Sequence, residues 1–193
     1  DEGMVLICGT GMVCYGKDLY GSMHKSGGWG FQEGDAGSGY DLGLKALKHT
    51  FKAFDGRLPK DQFSNAVANQ IGLNDANQIF EISKKYFLDR TKVAQISPLV
   101  TKYANLNNPY ALEIVNDATD ELALAVSAVY HELKLKNKQL VIVGGLGNAD
   151  GIFKETLHKK INKIDESLKI IKPKIDPAHA ASIMALRNTK KSA

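Results

Sequence analysis

The sequence has little cysteine: two residues, Cys8 and Cys14, in a chain of 193. They form no Cys-x-x-Cys pair, and two cysteines do not make a disulfide scaffold. Both fall in predicted neighbouring strands. We interpret them as small buried apolar side chains of a protein from a reducing compartment, which predicts a cytoplasmic location.

Other features are also missing, and each absence removes a class of function. No apolar run approaches the roughly 20 residues of a membrane span, and no basic leader precedes the first strand. The net charge is only +4, and the lysines after residue 154 alternate with Ile and Glu as on a solvated helix face. Neither a membrane nor a nucleic acid is therefore predicted as a partner. The histidines share no metal-ligand spacing, so no metal site made by this chain alone is predicted. They are His24, His49, His131, His158 and His179.

Glycine, by contrast, is concentrated at the start of the chain. Eleven of the 18 glycines lie in the first forty residues, and eight of these form three groups. The groups are Gly9-Thr10-Gly11, the GGWG run at residues 27–30, and the GDAGSG run at residues 34–39. Glycine costs backbone entropy on folding, so such a cluster indicates tight turns or close approach of a ligand to the backbone. The Thr, Trp, Asp and Ser side chains among these glycines suit a small polar ligand.

The periodicity of apolar residues predicts a β-meander, a helical block and then a β-α-β-α order, in a single domain over residues 1–193. An apolar stripe from Tyr40 to Phe54 predicts the first helix. Asn108 is a predicted N-cap, with Pro109 at the first position of a long helix. The predicted strands are residues 4–8, 12–15, 19–24, 140–143 and 168–171. The other predicted helices are residues 60–71, 75–87, 91–104 and 150–164, and a last helix capped by Asp176 with Pro177 behind it.

Taken singly, the motifs leave two interpretations open. The Gly9-Thr10-Gly11 turn can offer backbone N–H groups and a hydroxyl to phosphate, or it is an ordinary hairpin. The Gly144-Gly145 turn resembles a nucleotide-binding turn, but it matches neither Walker A nor Gly-x-Gly-x-x-Gly, and close helix–sheet packing explains it equally well.

Two side chains near the glycines have a structural alternative of their own. Trp29 either contacts a small polar ligand or anchors its loop. Asp35 either binds a ligand or caps the following helix, and Ser38 competes with it for the capping role.

In this order and at this spacing, the motifs become specific. The CGTG segment at residues 8–11, GGWG at 27–30 and GDAGSGYDLGLKAL at 34–47 resemble the N-acetylglucosamine kinase branch of the BadF/BadG/BcrA/BcrD ATPase family. The resemblance continues more weakly through residues 94–100, the helix at Asn108, the Gly144 turn and the terminal helix. It covers essentially the whole chain but only the C-terminal half of the family's proteins. It implies an α/β domain, the C-terminal domain of the actin-like, RNase H-like sugar-kinase fold.

The resemblance implies ATP and an amino sugar as ligands, which meet in a cleft between two domains. The residues implied for phosphate binding are Gly9, Thr10 and Gly11. Those implied for the sugar are Thr10, Gly28, Trp29, Asp35 and Gly39. Those implied for the adenosine are Gln95, at a predicted helix start, Gly144 and Gly145. An ionised Asp suits the sugar role because it accepts hydrogen bonds from two hydroxyl groups.

Three positions depart from the family pattern. Met12 stands where the family usually has Ser, which removes a hydroxyl beside the phosphate turn. Ala36 replaces a Glu and removes a second carboxylate next to Asp35. His179-Ala180 replaces the usual Gly-Ala before the last helix.

The family's remaining machinery is not matched in this sequence. The resemblance places the catalytic Asp, the carboxylate that holds Mg²⁺ and another phosphate hairpin in an N-terminal domain, upstream of the Gly-Thr-Gly turn. The 193-residue chain is therefore expected to be inactive by itself, with ATP and Mg²⁺ as the implied cofactors and a homodimer as the expected assembly.

Two other functions remain open at this point. One is an ATPase activator of a radical dehydratase or reductase, which belongs to the same superfamily and carries a cysteine-bound iron–sulfur cluster. The other is a non-catalytic module that senses a sugar or a nucleotide.

Overall fold

A five-stranded mixed sheet forms the base of the fold. In this computed structural model, which describes residues 2–31, 35–176, 179–180, 182–183 and 185–186, three strands make an antiparallel meander and two more add parallel to it. The strands are β1 (Gly3–Cys8), β2 (Met12–Lys17), β3 (Met23–Gly27), β4 (Gln139–Val143) and β5 (Lys169–Ile171). They lie in the order β3-β2-β1-β4-β5, with β1 parallel to β4. The carboxyl ends of β1 and β4 are therefore neighbours, and the turns that leave them meet at one edge of the sheet.

The third strand lies later in the chain than its sequence pattern predicts. The pattern predicts residues 19–24, whereas β3 is Met23–Gly27. The Asp18 side chain accepts hydrogen bonds from the backbone N–H groups of Tyr20 and Ser22, each at 2.9 Å, and Gly21 has φ of 92°. Such side chain–backbone bonds compete with strand pairing, so residues 18–22 form a turn and the prediction is wrong there.

The helical predictions are largely confirmed, with one break. The helices of the described residues are α1 (Gly39–Phe54), α2 (Gln62–Ile71), α3 (Ile79–Phe87), α4 (Arg90–Ala94), α5 (Ser97–Asn105), α6 (Pro109–Glu132) and α7 (Ile152–Asn162). The predicted helix 91–104 is split into α4 and α5 at Gln95 and Ile96. Pro98 explains the split, because a proline inside a continuous helix removes a hydrogen bond and clashes with the preceding turn.

The core lies between one face of the sheet and the long helices. Leu6, Cys8 and Cys14 are fully buried on that face, where α6 packs against β2 and β3 and α7 packs beside α6. The Asn108 side chain accepts the N–H of Ala111 at 3.0 Å, which confirms the predicted cap of α6. The α/β class and the order of elements through β5 are thus confirmed.

The end of the chain is described only in part. Residues 179–180, 182–183 and 185–186 are helical. Pro177, which is predicted at the start of that last helix, lies outside the described residues, as do Asp1 and Gly34.

Candidate functional site

The Gly9-Thr10-Gly11 turn joins β1 to β2 and is held by the start of α1. The N–H groups of Gly39 and Tyr40 donate to the carbonyl oxygens of Gly9 and Thr10 at 2.8 Å and 3.1 Å. A Cβ on Gly39 would lie 3.0 Å from the Gly9 oxygen, so a glycine allows this close approach. The turn's carbonyls are thereby occupied. Among the described residues, the N–H groups of Thr10 and Gly11 donate to no protein acceptor, which leaves them available to an anion.

This turn separates two cavities. The Gln95 cavity, of about 520 Å³, includes Gln95, Ser97 and Gly145 in its lining. The Asp35 cavity, of about 490 Å³, includes Asp35, Gly11 and Gly28. Gly9 and Thr10 line both cavities. Most residues predicted to bind sugar, phosphate and adenosine are therefore brought together around one turn.

Asp35 is the buried acidic group of the Asp35 cavity, with 4% of its surface exposed. Its Oδ1 accepts the Met12 N–H at 3.3 Å, and its Oδ2 lies 2.7 Å from Nη2 of Arg90. That ion pair does not have hydrogen-bond geometry, so Oδ2 is buried without a hydrogen-bond donor among the described residues. Ser38, whose Oγ accepts the Asp41 N–H, is the N-cap of α1. Asp35 is thus not needed as the cap and retains lone pairs for a ligand.

Arg90 is the functional candidate that sequence reasoning missed. It is 55 positions from Asp35 in the chain, and no motif surrounds it. A Cβ on Gly11 would lie 2.0 Å from Arg90 Nη2 and 2.9 Å from Asp35 Oδ2. The absence of a side chain at Gly11 therefore makes room for the ion pair against the turn, a reason for this glycine that the sequence did not indicate.

Trp29 lies in a smaller adjoining cavity of about 220 Å³, not in the Asp35 cavity. Its side chain is 68% exposed, and Lys25 Nζ lies 3.8 Å from the centroid of its ring. Met12 and Ala36, two of the departures from the family pattern, line the same small cavity. Met12 also lines the Asp35 cavity, so the two spaces adjoin at that side chain.

The Gly144-Gly145 pair divides into a packing residue and a cavity residue. Gly144 has φ of 102°, and a Cβ on it would lie 2.2 Å from the Cys8 carbonyl oxygen. Gly145 lines the Gln95 cavity, and a Cβ there would meet nothing within 4 Å. Close packing thus accounts for Gly144, while Gly145 remains a candidate for nucleotide contact.

Gln95 lines its cavity but not from a helix start. It is the C-cap of α4, and its carbonyl accepts the side-chain amide of Gln70 at 3.0 Å. The prediction of a helix start is wrong, because the following helix begins at Ser97. Contact of Gln95 with adenosine remains a prediction.

The cysteines do not favour a cluster-bearing activator. Cys8 and Cys14 are fully buried, and burial raises the pKa of each thiol to about 12. Thiols that are protonated and enclosed in this way are poor metal ligands. Within the described ranges no group of three His, Cys, Asp or Glu side chains is placed to hold a metal ion. In the same part of the chain, no helix has the length and apolar character needed to cross a membrane.

Known proteins resemble this chain over nearly its whole length. The sequence model of the BadF/BadG/BcrA/BcrD ATPase family matches residues 1–185. The N-acetylmuramic acid/N-acetylglucosamine kinase of Clostridium acetobutylicum is 32% identical over 186 residues, which are 95% of this chain and 61% of that kinase. The N-acetyl-D-glucosamine kinase of Dictyostelium discoideum is 34% identical over 194 residues, 97% of this chain and 60% of that kinase. The chain thus spans about 60% of the length of these curated relatives.

Solved structures share the fold. A Chromobacterium violaceum protein assigned as an N-acetylglucosamine kinase superposes with a TM-score of 0.76 at 24% identity, over 94% of this chain and 58% of that one. A Porphyromonas gingivalis protein with the same assignment superposes with a TM-score of 0.56 at 19% identity, over 90% of this chain and 57% of that one. At these identities the likeness bears on the fold alone, which is the actin-like ATPase fold.

Proposed function

Because this chain belongs to the BadF/BadG/BcrA/BcrD ATPase family, we propose that it is the C-terminal part of an ATP-dependent amino-sugar kinase. In this proposal it supplies one wall of the sugar and ATP sites. The observation that carries the proposal is the Gly9-Thr10-Gly11 turn between two cavities, with the Asp35 carboxylate on one side. Such an arrangement suits phosphoryl transfer, because the acceptor hydroxyl attacks the phosphorus on the side opposite the departing nucleotide.

On the sugar side, Asp35 would accept hydrogen bonds from sugar hydroxyl groups. The Met12 N–H occupies one lone-pair position on Oδ1, and Oδ2 accepts no hydrogen bond from the described residues, so acceptor positions remain for the sugar. Each charge-assisted bond to a hydroxyl contributes on the order of 1.5–3 kcal/mol. Trp29 would border the sugar from the adjoining cavity. The names of the two curated relatives support an N-acetylated amino sugar as the substrate class.

On the nucleotide side, the free N–H groups of Thr10 and Gly11 would bind phosphate oxygens of ATP. The adenosine would extend into the Gln95 cavity, beside Gln95 and Gly145. In the reaction, a sugar hydroxyl oxygen bonds to the γ-phosphorus and the bond from that phosphorus to the bridging oxygen of ADP breaks. The hydroxyl proton goes to a carboxylate base.

We place that base and the Mg²⁺ ligands outside these 193 residues. The motif resemblance assigns them to a part of the family's proteins that this chain does not match, and the chain covers only 61% and 60% of the two curated relatives. Mg²⁺ would neutralise charge on the ATP phosphates when bound. We expect the 193-residue chain alone to bind ligands without turnover.

The test is sugar-dependent ADP release by the protein in its full natural length. N-acetylglucosamine, N-acetylmuramic acid, glucosamine and glucose are compared at equal concentration. The proposal predicts release with at least one N-acetylated amino sugar and a weaker response to glucose. Absence of sugar-dependent release with all four contradicts it, and sugar binding without release favours the sensing module.

A further inference from the structure

Arg90 lies at the point where the two proposed ligands meet. It is the first residue of α4, and its guanidinium contacts Asp35 through Nη2 at 2.7 Å. The same nitrogen lies against the Gly11 backbone, since a Cβ there would be 2.0 Å away. The guanidinium therefore touches both the carboxylate proposed for the sugar and the turn proposed for the phosphate.

The backbone places α4 across this turn. Arg90 lines the Asp35 cavity, whereas the next residue, Thr91, lines the Gln95 cavity. The position of α4 is fixed by Gly43 of α1, where a Cβ would lie 1.9 Å from the Val93 carbonyl oxygen. The two helices thus pack backbone to backbone, and Arg90 is directed at the turn by rigid elements.

The charge of the Asp35 cavity supports a role beyond pairing. Arg90 provides the one cationic side chain among the described residues that line this cavity. Its side chain is 40% exposed, while that of Asp35 is 3% exposed. An Arg has five N–H donors. Nη2 contacts Asp35 and Nε is buried, so the exposed part of the guanidinium provides the N–H donors that an anion can reach.

We propose that Arg90 is a catalytic residue of the phosphoryl transfer described above, and that its guanidinium binds the phosphoryl group as it passes from ATP to the sugar. This inference rests on the proposed function. The transferred group carries negative charge on its equatorial oxygens, and a planar guanidinium donates two parallel hydrogen bonds to such oxygens. In the ligand-free protein Asp35 holds the guanidinium at the turn.

The experiment compares R90Q and R90K with the wild-type protein in its full natural length. K92Q is the matched control, because Lys92 is a cation of the same helix that pairs with Asp89 outside both cavities. Removal of one preorganised donor to a transition state costs on the order of 100-fold in kcat. We expect R90Q to lose that much kcat while its sugar KM changes by less than about fivefold. R90K should lose less kcat, because lysine keeps the positive charge but not the planar pair of donors of a guanidinium. K92Q should not change kcat.

A second measurement does not depend on turnover. Calorimetric titration with N-acetylglucosamine, with inorganic phosphate and with pyrophosphate separates the sugar from the anion. We expect R90Q to weaken the two phosphate-bearing ligands and to bind the unphosphorylated sugar nearly as wild type does. If R90Q raises sugar KM and weakens the sugar while kcat and the anion affinities stay at wild-type values, Arg90 only positions Asp35 and the inference is wrong.

The two proposals fail in different ways. If the wild-type protein binds no amino sugar, the proposed kinase function fails, and pyrophosphate titration still decides whether Arg90 binds anions. If the wild type binds and phosphorylates the sugar while R90Q and K92Q behave alike, the Arg90 inference alone fails. Thermal unfolding of each variant shows whether R90Q is folded. If R90Q does not fold, R90K provides the test, because its lysine keeps a cation beside Asp35.

Discussion

Two glycine turns leave neighbouring strands at the same edge of the sheet, and they use glycine differently. The Gly9-Thr10-Gly11 turn follows β1 and the turn at residues 144–147 follows β4, with the Gly147 N–H donating to the Cys8 carbonyl at 3.1 Å. A Cβ on Gly9 would meet nothing within 4 Å, whereas one on Gly144 would meet the Cys8 backbone at 2.2 Å. At Gly9 the first turn leaves its backbone open to a ligand, whereas at Gly144 the second turn packs its backbone against β1. Glycine content alone therefore does not identify a binding turn.

The largest expected effect separates the ligand role of the first turn from the packing role of the second. D35N removes the carboxylate charge at the first turn and leaves the second untouched. We expect affinity for the amino sugar to fall on the order of 100-fold, because two charge-assisted hydrogen bonds are weakened. Calorimetric titration measures this loss. D117N is the control, since Asp117 is about half-exposed on α6 and lines neither cavity; equal affinities in the two variants contradict the role of Asp35.

The next effect tests the second turn directly. G144A combines a φ of 102° with a Cβ placed 2.2 Å from backbone, so we expect the free energy of unfolding to fall by more than about 2 kcal/mol. G145A adds its methyl group to open space and is expected to stay within about 0.5 kcal/mol of wild type. Urea unfolding of G144A and G145A measures both changes in the free energy of unfolding. Equal stabilities remove the distinction between the two glycines.

A smaller effect is expected at the first turn. G11A places a methyl group on the Arg90–Asp35 pair, and G9A places one in open space. We expect G11A to weaken sugar binding about tenfold, because the pair shifts but the flexible Arg90 side chain absorbs part of the strain. G9A is the stability control, with unfolding close to wild type. If G11A binds the sugar like wild type, Gly11 does not shape the Asp35 site.

The smallest effect is a several-fold difference between variants in the labelling of Cys8, whose backbone lies under the second turn. Burial raises the pKa of its thiol from 9.0 to about 12. An acid whose pKa is raised by folding stabilises the native state below its unfolded pKa, so stability is complete below pH 9.0 and falls as pH rises towards 12. At pH 8 we expect labelling of Cys8 to be slower than in the unfolded chain by on the order of 1000-fold, because the thiolate is the reactive form.

Labelling of the variants links this thiol to the turn. We expect G144A to label Cys8 several-fold faster than G145A, as measured by mass spectrometry of the labelled peptides. Cys14, which is buried in β2 opposite Leu6, serves as the internal reference. Acceleration of both thiols to the same extent indicates global loosening and contradicts a local effect of the turn.

Much of the fold was predictable because its determinants are local. The stripe from Tyr40 to Phe54 and the cap at Asn108 each depend on residues within a few turns of one another, and both are confirmed. The third strand was misplaced because Asp18 closes a turn through its own side chain, which an apolar pattern does not reveal. Pro98 could have signalled the break between α4 and α5, and the prediction did not use it.

The candidate site was predictable only in its motif residues. The resemblance named Thr10, Asp35 and Gly145, and the structure gathers them around one turn. It also placed Gln95 at a helix start, which is wrong, and it grouped Trp29 with Asp35, whereas the two line adjoining cavities. Their contact with ligands remains a prediction.

The sequence by itself determined the strands and helices with strong periodicity, the position of the Gly9-Thr10-Gly11 turn and the family to which its motifs point. Only the tertiary structure decided that Arg90 lies against Gly11 and Asp35, and that Gly144 packs while Gly145 lines a cavity. The physical reason is the separation along the chain between the residues that interact. Periodicity and caps act over a few residues, whereas the Arg90 contact depends on how closely α1 and α4 pack at Gly43, and the Gly144 contact on the pairing of β1 with β4.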